Sequence, residues 1–254
     1  MSDFVSLRAS PDWLNFDLAD AQPFLRAGGY PVDLLDRFVE LWDSHFRVDY
    51  RTFRHKLKSL SRATALHTRA LVIERSDLHL VKDRDRVVFL DDDDWLAPEL
   101  FGTLKQNDQV DGQRWASVRI GLDYDPSSPH AAVVQNRPHS QIVYTNNYAV
   151  LGHSLRRFGI DAVFEHTPAN HTFSLDEFHV EDYADYLSCA VKHPCCTTAM
   201  IALLKNAEFA KNPIRTVAYF ADQLQAAAIP LGAEWLDTPL NDLRGLFRDT
   251  LGRT

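Results

Sequence analysis

Arg86-Val87-Val88-Phe89-Leu90-Asp91-Asp92-Asp93-Asp94 is a compact apolar run that stops abruptly in four carboxylates. A short run that is apolar on both faces marks a central strand of a parallel sheet, because helices cover such a sheet from both sides. Open sheets of that kind bind ligands beyond the carboxyl ends of their strands. The aspartates lie at such an end, so the chemistry is expected there. Four adjacent carboxylates repel one another and call for a balancing cation. Continued strand alternation would aim Asp91 and Asp93 one way and Asp92 and Asp94 the other. A hard divalent ion such as Mg2+ or Mn2+ takes one or two carboxylates together with phosphate oxygens and water. The spacing lacks the DxDxDG turn of a calcium loop. A solvated acidic turn is the competing reading, and the buried-looking strand before it counts against that.

Working outward, residues 4–7 read as a first strand. Residues 31–42 read as a helix with Leu34, Leu35, Phe38, Leu41 and Trp42 on one face. Residues 46–50 alternate like a second strand, and residues 61–74 show helical spacing at Leu66, Ala70 and Ile73. Downstream, residues 115–124 alternate as a strand, 126–129 form a turn, and 141–145 form a further strand, the two strands pairing as a long hairpin. Residues 147–158 turn into a helix, and helices at 197–210, 215–228 and 241–251 make the last third helical. Strands alternating with helices in the first half predict an α/β fold with a mostly parallel sheet flanked by helices, an antiparallel hairpin and a helical C-terminal region. No repeat, low-complexity tract or Gly/Ser-rich linker divides the chain, so one domain over residues 1–254 is expected.

A chain of 254 residues can bury a continuous core without disulfide or metal staples, so a metal here would be functional rather than structural. The net charge of −8 argues against a general nucleic-acid binder. Charge is uneven, however: residues 51–86 hold ten Lys/Arg against four acids. Basic groups beside an acidic quartet suit a cation-bridged diphosphate, although a solvated helix face reads the same way. The cysteines, Cys189, Cys195 and Cys196, are odd in number and lack zinc-ligand spacing, which suggests buried thiols in a reducing compartment. The first residues lack a signal-peptide pattern and no 18 apolar residues run together, so the expectation is a cytoplasmic chain without membrane insertion.

The segment from Val87 to Leu100, VVFLDDDDWLAPEL, resembles the DxD segment of GT-A glycosyltransferases, particularly those similar to family 2. There an apolar strand runs into an aspartate cluster, followed by an aromatic or apolar residue, a proline and a Leu-containing helix. The resemblance implies a GT-A, Rossmann-like domain. Its half at 1–112 would bind the nucleotide-sugar, and 113–254 would form the acceptor side. Asp91 would contact the nucleotide-sugar, with Asp92 and Asp94 as helpers. Asp93, with Asp91, would bind the Mn2+ or Mg2+ that bridges the diphosphate. Arg62 stands in the segment before the DxD strand, where a basic residue approaches phosphate. Glu181-Asp182, in Val180-Glu181-Asp182-Tyr183, is similar to the ED motif whose acid deprotonates the acceptor hydroxyl, which implies an inverting transfer with Asp182 as base. An acid pair at a helix start is the other reading, since the helix dipole favours it. GT-A enzymes often add a late histidine to the metal shell, and His193, in Lys192-His193-Pro194, is the candidate. Residues 144–148, Tyr-Thr-Asn-Asn-Tyr, mix amides and rings in a way that suits sugar hydroxyls.

The chain departs from the family where the first strand lacks the Pro-x-Tyr-Asn pattern, and nothing after Cys196 carries the resemblance. The acceptor therefore stays open, a polyanion such as nucleic acid included. Two other classes use similar parts. A nucleotidyltransferase also sets aspartates at a strand end around Mg2+, but Gly28-Gly29 is a meagre phosphate loop. A non-catalytic carbohydrate- or nucleic-acid-binding protein on a GT-A scaffold is the third.

Overall fold

The run at 86–91 is a strand in the computed structural model, and both its faces are covered. Residues 2–8, 26, 31–73, 75–91, 93–125, 128–137, 147–159, 179–194, 203 and 211–252 are described. In chain order the elements are β1 (Asp3–Arg8), α1 (Leu34–His45), α2 (Tyr50–His67), β2 (Leu71–Ile73), a 3-10 turn (Arg75–Leu80), β3 (Arg86–Asp91) and β4 (Trp95–Leu96). There follow α3 (Leu100–Thr103), β5 (Gly112–Asp125), β6 (Ser128–Arg137), β7 (Tyr148–Leu151), α4 (Gly152–Phe158) and β8 (Val180–Lys192). Last come α5 (Pro213–Ala226), a 3-10 turn (Glu234–Leu236) and α6 (Asp237–Leu251).

The strands form one sheet in the order β2-β1-β3-β7-β5-β8-β4, with β6 paired to β5. It is mixed rather than mostly parallel. β1 is parallel to β2 and β3, and β5 to β8, while β3–β7, β4–β8, β5–β6 and β5–β7 are antiparallel. The expectation failed because β7 runs back between β3 and β5, and its four residues carry no pattern that gives direction.

Side chains of β3 alternate between two cores. Val88 and Leu90 pack with Val5, Ala65 and Leu100, while Val87 and Phe89 pack with Phe4, Val150 and Leu155. A third core joins the helices to the far strands. Leu35, Phe38 and Trp42 of α1, Phe53 and Leu57 of α2, Phe220 of α5 and Phe247 of α6 close on Trp95, Val118, Ile120 and Val191.

One constraint shapes the sheet. From Asp91, the end of β3, to Trp95, the start of β4, the chain has four residue steps, at most about 14 Å when extended. The four strand spacings from β3 to β4 would need about 19 Å if laid flat. The sheet therefore curls, which brings the start of β4 back toward the end of β3.

Several boundaries differ from the sequence reading. Residues 46–50 are not a strand: Asp49 caps α2, its carboxylate accepting the Thr52 backbone N–H at 2.9 Å, and Tyr50 already opens the helix. The alternation of Phe46, Val48 and Tyr50 reflects burial in a bend. The helix expected at 61–74 begins eleven residues earlier and stops at His67. Arg69 then adopts a left-handed φ of 63°, and the chain enters β2. The hairpin partner of β5 is β6, whereas residues 141–145 lie outside the described set. Of residues 147–158, the first part is strand β7 and only Gly152–Phe158 is helix. The helices expected at 215–228 and 241–251 are α5 and α6, and the one at 197–210 falls outside the described residues apart from Leu203. Among the described residues no helix is long and apolar enough to cross a membrane.

Candidate active site at the end of β3

β3 ends at Asp91, and the Asp94 backbone N–H donates to the Asp91 carbonyl at 3.1 Å, so the chain turns at once. Strand alternation does not survive this turn. Asp93 and Asp94 are both buried, at 7% and 1% exposed, and Asp91 is half-buried. Asp92 lies outside the described residues. Helix α2 runs behind the turn and fixes it from one side. The Ser61 hydroxyl donates to the Asp91 carbonyl at 3.1 Å, and the Thr64 hydroxyl accepts the Leu96 N–H at 3.2 Å. The end of β8 fixes it from the other, since the Val191 N–H donates to Asp94 Oδ1 at 2.8 Å. Asp94 is thus an architectural carboxylate, tying the turn to β8.

That tie delivers His193, the first residue past β8, to Asp93. His193 Nε2 lies 3.0 Å from Asp93 Oδ2, with the imidazole fully buried, although the two residues are 100 positions apart. The Phe53 ring packs edge-on to the imidazole, with centroids 6.1 Å apart. A third group completes the site. Arg54 of α2 is 7% exposed and places Nη1 3.2 Å from His193 Nε2 and 3.6 Å from Asp93 Oδ2.

The arrangement makes a specific electrostatic demand. Nε2 faces a guanidinium donor and a carboxylate acceptor at once, and one ring nitrogen cannot both accept and donate. The separation of Nε2 from Oδ2 also suits two adjacent ligands of one cation. Ligands about 2.1 Å from an octahedral ion, at right angles, stand about 3.0 Å apart. Among the described residues no three His, Cys, Asp or Glu side chains form a metal cage. A magnesium-like ion needs none, because it uses one or two protein ligands and fills its shell with phosphate and water. Asp93 and His193 stand where two ligands of such an ion would, a separation that is also that of an ordinary hydrogen bond, and among the described residues they would not suffice for a structural metal site.

The other expected residues lie elsewhere. Arg62 is exposed on α2, one position past Ser61 and turned away from the buried face that meets Asp91. Arg54, rather than Arg62, is the basic residue of α2 that lies beside Asp93 and His193. Its signal was present: Tyr50, Phe53, Arg54, Leu57 and Ser61 share the buried stripe of α2, and a cation within an apolar stripe needs a partner. Elsewhere in the basic stretch, Arg86 is structural, bonding Asp3 and the carbonyls of Phe101 and Leu104. Asn147 is buried and donates to the Trp115 carbonyl, and Tyr148 is in the core, whereas residues 144–146 are not described. Cys189 is buried opposite Trp95 on β4, while Cys195 and Cys196 are not described.

Glu181 and Asp182 stand on strand β8 rather than at a helix start, and at its opposite end from His193. Eleven residue steps of chain separate Asp182 from His193, on the order of 30 Å in a strand. They face the amino ends of the central strands, with Glu181 beside Gln113 and Asp182 beside Arg114. Asp182 is paired with Arg114 through two bonds of 2.6 and 2.9 Å. Glu181 accepts from Gln113 Nε2 at 2.8 Å and from the Tyr183 hydroxyl at 2.9 Å. The Gln113 bond above all holds the Glu181 carboxyl below its ordinary value, against the cost of burial. A general base needs the opposite shift and proximity to the acceptor. Neither carboxylate has the position of a base for chemistry at Asp93.

Two outcomes follow for this far end. Asp182→Asn is expected to cost no more than about 1 kcal/mol of stability, as half-exposed ion pairs do, and a denaturant melt checks it. Because the folded Glu181 carboxyl is depressed, its ionised form stabilises the protein above the unfolded-state value. That stabilisation fades as pH falls through the folded value. Glu181→Gln is therefore expected to be less stable than wild type near neutrality and to converge with it below the folded value. Stability curves that stay parallel on acidification would contradict this.

Comparison with known proteins returns no matching family model, no matching curated protein and no matching solved structure.

Proposed function

We propose that this chain is a nucleotide-sugar-dependent glycosyltransferase of the GT-A type, with its donor site at Asp91, Asp93, His193 and Arg54. The observation that carries the reading is the meeting of Asp93 and His193 at 3.0 Å, at the carboxyl end of a central strand. A buried acid, an imidazole and a guanidinium converging there suit a diphosphate better than a neutral ligand. Transfer breaks the bond between the sugar's anomeric carbon and the diphosphate oxygen. It forms a bond from that carbon to an acceptor hydroxyl oxygen, and the hydroxyl proton is released. Negative charge grows on the leaving diphosphate as the bond breaks. Bound Mn2+ or Mg2+ would supply the charge to balance it. The chain's own part is to hold that charge fixed in advance: Asp94 and Ser61 set the turn, and Phe53 sets the imidazole plane.

The reading is tested by incubating the protein and Mn2+ with a panel of nucleotide-sugars and hydroxyl acceptors, and following what is released. Release of nucleoside diphosphate together with a glycosylated acceptor supports it. Release of pyrophosphate from a nucleoside triphosphate would point to nucleotidyl transfer. Sugar binding with no turnover would point to a binding protein.

A further inference from the structure

We infer that the outward flank of α2, marked by Lys58, Arg62 and Arg69, binds a linear anionic glycan, and that this glycan is the acceptor for transfer at the Asp93 site. The acceptor role rests on the donor-site reading above and deepens it, whereas the binding surface stands apart from it.

Residues 50–73 hold six Lys/Arg and no Asp or Glu, in a chain whose net charge is −8. Helix α2 supplies most of that stretch, and of its cations only Arg54 joins the buried face. Arg51, His55, Lys58 and Arg62 follow at steps of four, three and four residues, so they line one flank about a turn apart. Lys58 is half-buried and Arg62 exposed, and Arg69 stands exposed just past the helix end. Arg51 acts on Asp49, so the open charge is that of Lys58, Arg62 and Arg69. Other cations of the chain are matched: Arg84 pairs with Asp108, Arg114 with Asp182 and Arg156 with Asp83. Lys58, Arg62 and Arg69 form no ion pair among the described residues. Positive charge gathered on one flank of an acidic chain attracts a polyanion there while the rest of the surface repels it.

The place suits an acceptor. Ser61, the residue before Arg62, donates its hydroxyl to the Asp91 carbonyl at 3.1 Å, so a polymer lying along the flank passes beside the donor site. The surface also selects the class of polymer. Single-stranded nucleic acids are held by aromatic rings that stack on bases, and Tyr50 and Phe53 of α2 are buried at 2% and 0% exposed. A helix that lies on a membrane needs its apolar face free, and that of α2 is in the core. An anionic glycan needs neither feature, and it brings the hydroxyls that transfer requires.

The test reads the anisotropy of a fluorescein-labelled oligogalacturonate on the whole chain, in EDTA and without donor. Wild type should bind it, with affinity falling by about tenfold or more between about 50 and 200 mM salt. A triple variant, Lys58→Glu with Arg62→Glu and Arg69→Glu, should bind at least about tenfold more weakly than a charge-matched control. The control carries Arg37→Glu, Arg215→Glu and Arg248→Glu, at exposed positions of α1, α5 and α6. Equal losses in the two triples would report bulk charge alone and overturn the inference, as would a wild type that binds no oligogalacturonate. Tighter binding of an oligo(dT) of equal charge, or of phosphatidylglycerol vesicles, would overturn it in favour of a nucleic acid or a membrane. Should the α2 triple fail to fold, Lys58→Gln and Arg62→Gln should each weaken glycan binding by about two- to threefold, and wild-type affinity in both overturns the inference. Binding of UDP with Mn2+ is a separate arm, in which the α2 triple should match wild type. If no protein binds UDP with Mn2+, the donor-site reading falls and takes the acceptor role with it, while the glycan arm still decides the surface.

Discussion

Asp93→Asn is expected to abolish the gain in nucleoside-diphosphate affinity that Mn2+ gives and to lower transfer by about 10²–10³-fold, the usual loss when a charge-stabilising group is removed. Asn keeps the size and one oxygen, so the loss reports charge rather than shape. The substitution also has a structural consequence that the sequence did not suggest. Asp93 is 7% exposed and pairs with a buried guanidinium, so removing its charge takes an ion-pair partner from Arg54. Breaking one side of a buried pair typically costs about 3–5 kcal/mol. A lower denaturant midpoint at unchanged slope is the expected signature. Activity must then be measured under conditions where circular dichroism shows the variant folded. Asp91→Asn is the control: Asp91 is half-buried, so it should weaken donor binding with a much smaller loss of stability. Wild-type metal dependence in a folded Asp93→Asn protein would remove Asp93 from the donor site.

The second large effect lies in the core behind the site. Trp42→Ala should destabilise the fold by about 3–5 kcal/mol, the range for deleting a large buried ring. Trp42 is 1% exposed and sits among Phe46, Phe53, Phe38 and Tyr50, with centroids at 4.3, 5.1, 6.1 and 6.2 Å. Its Nε1 donates to the Val48 carbonyl at 2.9 Å, so truncation also takes the donor from that carbonyl. The loss should appear as a fall of roughly 10 °C in thermal midpoint, given a few degrees per kcal/mol for a chain of this size. The same cavity would loosen Phe53, which separates Trp42 from the His193 ring. Metal-dependent diphosphate binding should therefore weaken in a variant that touches no ligand. A midpoint within a degree or two of wild type would contradict the packing described.

What the sequence reveals and what it hides follow from how local each signal is. β3 was legible because a strand covered on both faces must be apolar at every position, and Val87 to Leu90 is. The His193 placement was legible only through the family resemblance, since nothing local in Lys192-His193-Pro194 points to a residue 100 positions earlier. β8 was hidden. Its first half, Glu181 to Asp185, is polar with an alanine, and only pairing along β5 makes that stretch extended. Glu181-Asp182 looked like a base through its resemblance to the ED motif, and its place on β8 also removes the helix start that was the other reading. β4 is two residues long, below any periodic signal, yet it closes the curled sheet. Arg54 was hidden among ten basic residues, although its position on an apolar stripe set it apart from Arg62. The residues that charge counting cannot separate, burial separates at once.

The central claim is that one divalent ion joins His193 to a nucleoside diphosphate, and pulsed electron paramagnetic resonance of bound Mn2+ tests it most directly. With Mn2+ and UDP or GDP on wild type, a phosphorus coupling from the diphosphate and a nitrogen coupling from an imidazole should appear together. In His193→Gln the nitrogen coupling should vanish while any residual bound Mn2+ keeps the phosphorus coupling. A wild-type spectrum with phosphorus but no nitrogen, or a nitrogen coupling that persists in His193→Gln, would contradict the account.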